Sequence, residues 1–182
     1  MEYYITSWTP SGLITGTGFT PDGTIPKGAI PCTEAQAKTP SAYLVDISTT
    51  PHTVVDAPTS VLLAQAQASQ IALLQSAFQK AEQAPVSLTL ASGITTSFGM
   101  SPHDWTKIVG LYSKYVVKGD PIPSNYPLPD VNMVLRTVTK ADIDNLFEAG
   151  KTQIDNAVSK LASLLESVNT TTTVEAVKSI TW

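Results

Sequence analysis

The chain carries one cysteine, Cys32, two histidines and a single arginine, Arg136. A lone cysteine excludes an internal disulfide. With His52 and His103 far apart, too few close-spaced donors exist for a four-ligand zinc site. Charge is scarce as well. Eleven basic and 15 acidic residues give a net charge of −4, and only 14% of the chain is charged, against ~25% in an average soluble protein. The lysines are scattered, which argues against nucleic-acid binding, a function that needs clustered positive charge. No apolar run approaches the ~18 residues needed to cross a bilayer. The opening MEYYITSWTP lacks the basic and apolar regions of a signal peptide. A free monomer normally covers itself with charge, so this composition points to surface buried in an assembly.

Catalytic constellations are also missing from the pattern. Ser101, His103 and Asp104 look like a triad fragment, but triads are assembled in space and sequence adjacency does not make one. Asp104 reads better as a first-turn helix acid. Asp142 and Asp144, two apart on a helix, point to different faces. Asp120 and Asp130 flank a Pro-rich stretch and would hold a metal only with further ligands. GTGFTPDG has glycines but no Lys and no strand-to-helix context for a phosphate loop. The expectation is a protein that is not an enzyme, with no cofactor and no metal. Cys32 reads either as a reactive or bridging thiol or as a small residue in a loop after Pro31.

What is present is assembly-like patterning. Residues 140–168 form the clearest element, a helix of roughly 44 Å at 1.5 Å per residue. Thr139 and Asp142 have capping-box spacing. Ile143, Phe147, Gly150, Ile154, Ala157, Leu161, Leu164 and Val168 alternate by four and three, the spacing of a coiled-coil seam. Leu146, Val158 and Leu165 widen the stripe, so a helix packed on its own sheet meets the pattern as well as one shared between subunits. Gly150 and Ala157 let a neighbouring backbone come close. The Thr170–Thr173 run stops the helix, because β-branched residues in series disfavour it. Thr172 and Glu175 suggest a second capping box, and Val174, Val177 and Ile180 make a short apolar stripe leading to Trp182, which reads as a packed anchor.

The rest divides into regions. Residues 1–58 are rich in Pro, Gly and Thr, with strands expected at Tyr3–Trp8, Leu13–Thr15, Tyr43–Ile47 and Val54–Val55. Residues 59–84, between Pro58 and Pro85, read as a connecting helix with Leu63, Ile71, Leu74 and Phe78 on its apolar side and a Gln/Ala remainder suited to homotypic packing. Residues 85–182 read as an α+β domain. Val86 to Phe98 is a hairpin turning at Ser92-Gly93, and Pro102 opens a helix with Trp105, Ile108, Leu111, Tyr112 and Tyr115 inward. Gly119–Pro129 is a loop, and Val131–Thr139 is a strand entering the long helix. The fold class expected is α+β: a small β-rich module, a central helix, and a small antiparallel sheet covered by helices.

Residues 60–182, closing on TVEAVKSITW, resemble the C-terminal domain of unknown function of bacteriophage tail-fibre-associated proteins. The front segment, with Pro21, Gly23, Pro26, Gly28, Ala29 and Ile30, resembles the N-terminal module of phage tail-fibre assembly proteins. Met133 and Val134 depart from that pattern, which has a Trp-rich strand there. The resemblance implies no catalytic residues. It implies a virion structural protein, made in the host cytoplasm and bound to tail-fibre or baseplate proteins for host attachment. With the heptad seam it suggests a homo-oligomer, a trimer first. Alternatives are a fibre assembly chaperone and, more remotely, a glycan-cleaving accessory enzyme, which would need a carboxylate pair in a cleft. The expected interface residues are Leu63, Ile71, Leu74, Phe78, Ile143, Phe147, Ile154, Leu161, Leu164, Val168 and Trp182.

Overall fold

A computed structural model describes residues 1–124 and 126–182. The fold is α+β, with small antiparallel sheets and a long helix near the C-terminal end. The chain divides into two units. The first comprises Met1–Ala68 with Thr172–Val177, and the second Ser69–Thr171 with Lys178–Trp182.

In the first unit, β1 (Glu2–Trp8) is the centre of a three-stranded antiparallel sheet, flanked by β2 (Ile14–Thr20) and β3 (Ile30–Cys32). Alternation puts Ile5 on the inner face, where it is fully buried with Ile30 and Val45. Strands β4 (Tyr43–Asp46) and β5 (Thr53–Asp56) form a separate hairpin. Helix α1 (Glu34–Lys38) is closed at its start by a capping box between Thr33 and Gln36. Neither β3 nor α1 was expected from the sequence. Cys32 therefore lies in a strand and not in a loop. Its thiol is partly buried, and that burial pushes its pKa up, away from reactivity.

Helix α2 (Thr59–Glu82) begins after Pro58, whose carbonyl accepts from the amides of Val61 and Leu62 at 2.9 and 3.1 Å. The division between the two units falls within it.

The second unit repeats one motif. Hairpin β6 (Val86–Thr89) with β7 (Thr95–Phe98) leads into α3 (Pro102–Leu111), and hairpin β8 (Tyr126–Pro129) with β9 (Leu135–Val138) leads into α4 (Lys140–Thr170). The ladder that runs from Val86↔Phe98 to Thr89↔Thr95 recurs from Tyr126↔Val138 to Pro129↔Leu135. The turns match too. Leu90 N–H donates to Ile94 O and Gly93 N–H to Leu90 O, and Asp130 with Val134 and Met133 with Asp130 reproduce both bonds at 3.0 and 2.9 Å. Both are three-residue loops with a left-handed residue before the second strand. That residue is Gly93 (φ 84°) in the first hairpin and Met133 (φ 61°) in the second. A side chain there costs roughly 1–2 kcal/mol that glycine does not incur.

Ser101 and Thr139 cap the two helices, each answered by an Asp three residues on. Asp142 closes the expected capping box and also accepts from Ala91 N–H at 2.8 Å, tying the start of α4 to the first hairpin turn. The stretch read as a loop over 119–129 thus contains β8, and the strand read over 131–139 is a turn plus β9. Asn125, within that predicted loop, lies outside the described residues. Proline at 127 and 129 hid a short two-stranded ladder, which tolerates proline because each strand is an edge. Helix α5 (Val174–Ser179) is capped by Thr173, whose Oγ1 accepts from Ala176 N–H, one residue later than the Thr172 expected.

The core of this unit gathers Val86, Leu90, Phe98 and Met100 from the first hairpin and its exit, Ile108, Leu111 and Tyr115 from α3 and its π-helical extension, and Leu128, Val138, Ile143 and Leu146.

Candidate functional site

The first half of the heptad face, with Ile143, Phe147 and Ile154, packs into the core of its own unit. Ile143 is 1% exposed and Val168 fully buried, while Phe147, Ile154, Leu161 and Leu164 are half-buried. Phe147 lies between two rings, stacked on Tyr112 at 3.8 Å and on Trp105 at 5.4 Å. Gly150 is where this stack meets the helix: an added Cβ would lie 2.4 Å from Met100 Cε and 2.7 Å from Trp105 Cζ3. The close approach expected at Gly150 is therefore made by side chains of α3 and of the segment leading into it.

The α2 residues sort similarly. Leu74 is 1% exposed, and Leu63, Ile71 and Phe78 are half-buried. Phe78 meets Trp182 edge to face at 6.3 Å, and Lys160 Nζ stands 5.1 Å over the Trp182 ring. Gln70 Nε2 donates to Ile180 O, and Gln153 Nε2 donates to Ala84 O at 2.7 Å and Glu82 O at 3.2 Å. These amides satisfy carbonyls left open at the end of α2 and in the closing segment. Trp182 is thus held by Phe78 and Lys160 of its own unit. Ala81, Ala149, Asn156 and Ala157 line a shallow recess of about 440 Å³ beside it.

Three of the carboxylates weighed in the sequence, Asp104, Asp130 and Asp142, are committed to structure. Ser101 Oγ donates to Asp104 Oδ2 at 2.6 Å, which makes this pair a helix cap. Asp130 is 3% exposed and accepts from the Asn132 and Val134 amides, Thr96 Oγ1 and Arg136 Nε, the last at 2.8 Å. Burial alone would raise its carboxyl pKa. The Val134 amide, the Arg136 guanidinium, the Thr96 hydroxyl and the Asn132 amide outweigh burial and bring it down to about 2. Thr96 belongs to the first hairpin, so Asp130 rivets the second hairpin to it, as does the bond from Val131 N–H to Ser97 O at 2.9 Å. Among the described residues, no group of three or more His, Cys, Asp or Glu is placed to hold a metal ion.

Two features suited to contact lie outside the interface residues expected from the sequence. The β8–β9 turn exposes Val131 (44%), Met133 (79%), Val134 (44%) and Leu135 (67%). In the first unit, Leu13, Leu44, Val61, Ala64 and Ala68 line an open apolar groove of about 450 Å³. The run VNMVL signals the turn only to a reader who expects the hairpin, since read alone it is a strand. The groove depends on tertiary placement and has no local signal.

The chain matches no family model, no curated protein and no solved structure. Among the described residues, no helix is long and apolar enough to cross a membrane.

Proposed function

We propose that this protein is a structural component of a bacteriophage tail, associated with the fibre or baseplate, that works by docking and self-association and not by catalysis. The observation that carries the reading is the β8–β9 turn, where four large apolar side chains stand in solvent within one five-residue stretch. Exposed apolar patches of this kind mark contact sites. The low charge of the chain supports it, as do the resemblance of residues 60–182 to tail-fibre-associated proteins and that of the Pro21–Ile30 segment to tail-fibre assembly proteins. The buried carboxylates support it too, since Asp130 and Asp142 have their oxygens occupied by amides, hydroxyls and a guanidinium.

The test is quantitative mass spectrometry of washed phage particles, counting this chain against the fibre protein. A fixed ratio is the expected result. Absence from particles, with recovery bound to the fibre in infected-cell lysate, would replace this reading with that of an assembly chaperone. Absence from both would sink the assignment to a tail.

A further inference from the structure

The closing residues of the chain lie on a seat built by two helices of the same unit. Residues 180–182 are non-helical and are reached through the break at Thr171–Thr173 and the six-residue α5. On α2, Gln70, Leu74 and Phe78 recur every four residues and so share a face. The Gln70 side-chain amide donates to Ile180 O, and the Phe78 ring meets Trp182 edge to face at 6.3 Å. Gln70 and Phe78 are about 12 Å apart along the helix, so the segment runs along α2 and in the same direction. From α4, Lys160 Nζ stands 5.1 Å over the same indole.

The hold is specific but slight. Ile180 and Trp182 are half-buried and Thr181 is exposed. The recess lined by Ala81, Ala149 and Ala157 leaves one flank of the indole unpacked. Gln70 is 8% exposed, yet its amide is given to a backbone carbonyl, a group that any peptide offers. The indole, set between a ring edge and an ammonium, supplies the selectivity. A free peptide makes these contacts as well as a tethered one.

We propose that this seat is a peptide-binding site for the Ile180–Trp182 segment, filled in cis by the chain's own segment and open to the same segment of a second copy. The proposal deepens the docking reading and rests on it, and it names the occupant from the segment the structure holds there. A second copy brings the same carbonyl and the same indole, so exchange between copies loses no contact. Exchange of an identical element is a low-cost route to association. A short tether gives an effective concentration on the order of mM. An isolated chain at micromolar concentration therefore keeps its own segment, and copies held side by side in an assembly exchange theirs.

The experiment adds a fluorophore-labelled, amidated peptide of residues 174–182 to the purified full chain and follows anisotropy up to about 3 mM chain. Wild type should bind it weakly, because only molecules whose own segment is released are competent. Trp182→Ala, which leaves the seat without its indole, should bind about tenfold more tightly. Trp182→Leu, which keeps apolar bulk and loses the aromatic contact, is the second variant and should fall between. Lys160→Glu added to Trp182→Ala, at an exposed position of α4, should weaken binding at least about threefold, the scale of a lost cation–ring contact. A peptide with alanine in place of its tryptophan should not bind. Full chains should follow suit. Mixed at about 0.5 mM each, Trp182→Ala with its open seat and Lys160→Glu with its loosened segment should form a one-to-one dimer that neither forms alone. Equal affinity of wild type and both Trp182 variants overturns the proposal, since the peptide would then sit elsewhere. So does absence of binding by variants whose circular dichroism matches wild type, or indifference to Lys160→Glu. Peptide binding without the mixed dimer also overturns it, because the segment would then not reach a second copy. None of these readouts involves phage particles, so this proposal and the tail assignment fail separately.

Discussion

Replacing Gly150 by alanine sets two known effects against each other. Gly150 lies inside α4, where alanine is favoured over glycine by about 1 kcal/mol. On helix propensity alone the variant should be more stable. The added methyl, however, arrives 2.4 Å from Met100 Cε, 3.3 Å from Met100 Sδ and 2.7 Å from Trp105 Cζ3. Relaxation of about 1 Å is needed to restore ordinary contact. Met100 is 3% exposed, and its thioether can turn only into packed surroundings. Trp105 is held by Phe147, and Phe147 by Tyr112. Overpacking of a filled core costs ~1–3 kcal/mol. The steric effect should win, leaving Gly150→Ala about 1 kcal/mol less stable, a fall of roughly 2–4 °C in Tm for a chain of this size.

Urea unfolding followed by circular dichroism measures the sign. Near-ultraviolet dichroism follows the ring stack directly. Met100→Ala removes two of the three clashing atoms and leaves space that the methyl added at position 150 can enter. The double variant should therefore lose at least about 1 kcal/mol less than the sum of the singles. A rise in stability for Gly150→Ala, or additive losses in the double variant, would refute the account of Gly150 as a packing glycine.

Asp130 predicts a pH response. Its folded pKa, at about 2, lies below the ordinary carboxyl value, so its contribution is present above the unfolded pKa and is lost as pH falls through about 2. Thermal melts should show Asp130→Asn flattening the loss between about pH 4 and pH 2 relative to wild type, and parallel curves would count against it. Phe147→Asp should disrupt folding of the second unit, seen as lost near-ultraviolet signal, because a charge placed between Trp105 and Tyr112 has no partner there. A folded variant of smaller mass would instead return Phe147 to a subunit interface. Trp182→Ala should cost about 1–3 kcal/mol through lost contact with Phe78 and Lys160, and an unchanged urea midpoint would refute an intramolecular anchor. Gln153→Leu should speed hydrogen exchange at the end of α2 by leaving Glu82 O and Ala84 O unsatisfied, and unchanged exchange would show that those bonds are dispensable.

Elements with local causes were legible. The α4 capping box, the break at the threonine run, the first hairpin and the Pro102 helix start all follow from residues within a few positions of one another. The apolar face of α4 was legible as a face but not as to its partner. Four-three spacing states that Ile143, Phe147, Ile154 and Leu164 share a side of a helix. Whether another chain or the first hairpin lies opposite is decided by tertiary placement, and within one chain Trp105, Tyr112 and Met100 take that side at Phe147 and Gly150.

The second hairpin was missed for a reason that also explains its surface. Its twin has small, turn-forming residues at Ala91-Ser92-Gly93 and alternating apolar residues on both sides, so hydrophobic pattern and backbone preference agree. In YPLPDVNMVLRTV the turn is made by Asp130, which gathers the Asn132 and Val134 amides and the Arg136 guanidinium around one carboxylate. That polar clasp holds the loop shape without glycine, and so frees position 133 to carry a side chain. The apolar turn residues then read as a strand, because patterning assumes that apolar residues face inward. Here the inward group is the carboxylate and the exposed groups are Val131, Met133, Val134 and Leu135. The inversion is stable because Asp130 has donors enough to be buried as an ion, and its consequence is an apolar tip on a rigid stem. If the clasp is what holds the tip, Asp130→Ala should raise hydrogen exchange at Asn132, Met133 and Val134 far more than at Gly93 and Ile94. Equal protection in both turns after that substitution would mean that the ladder alone supports the loop.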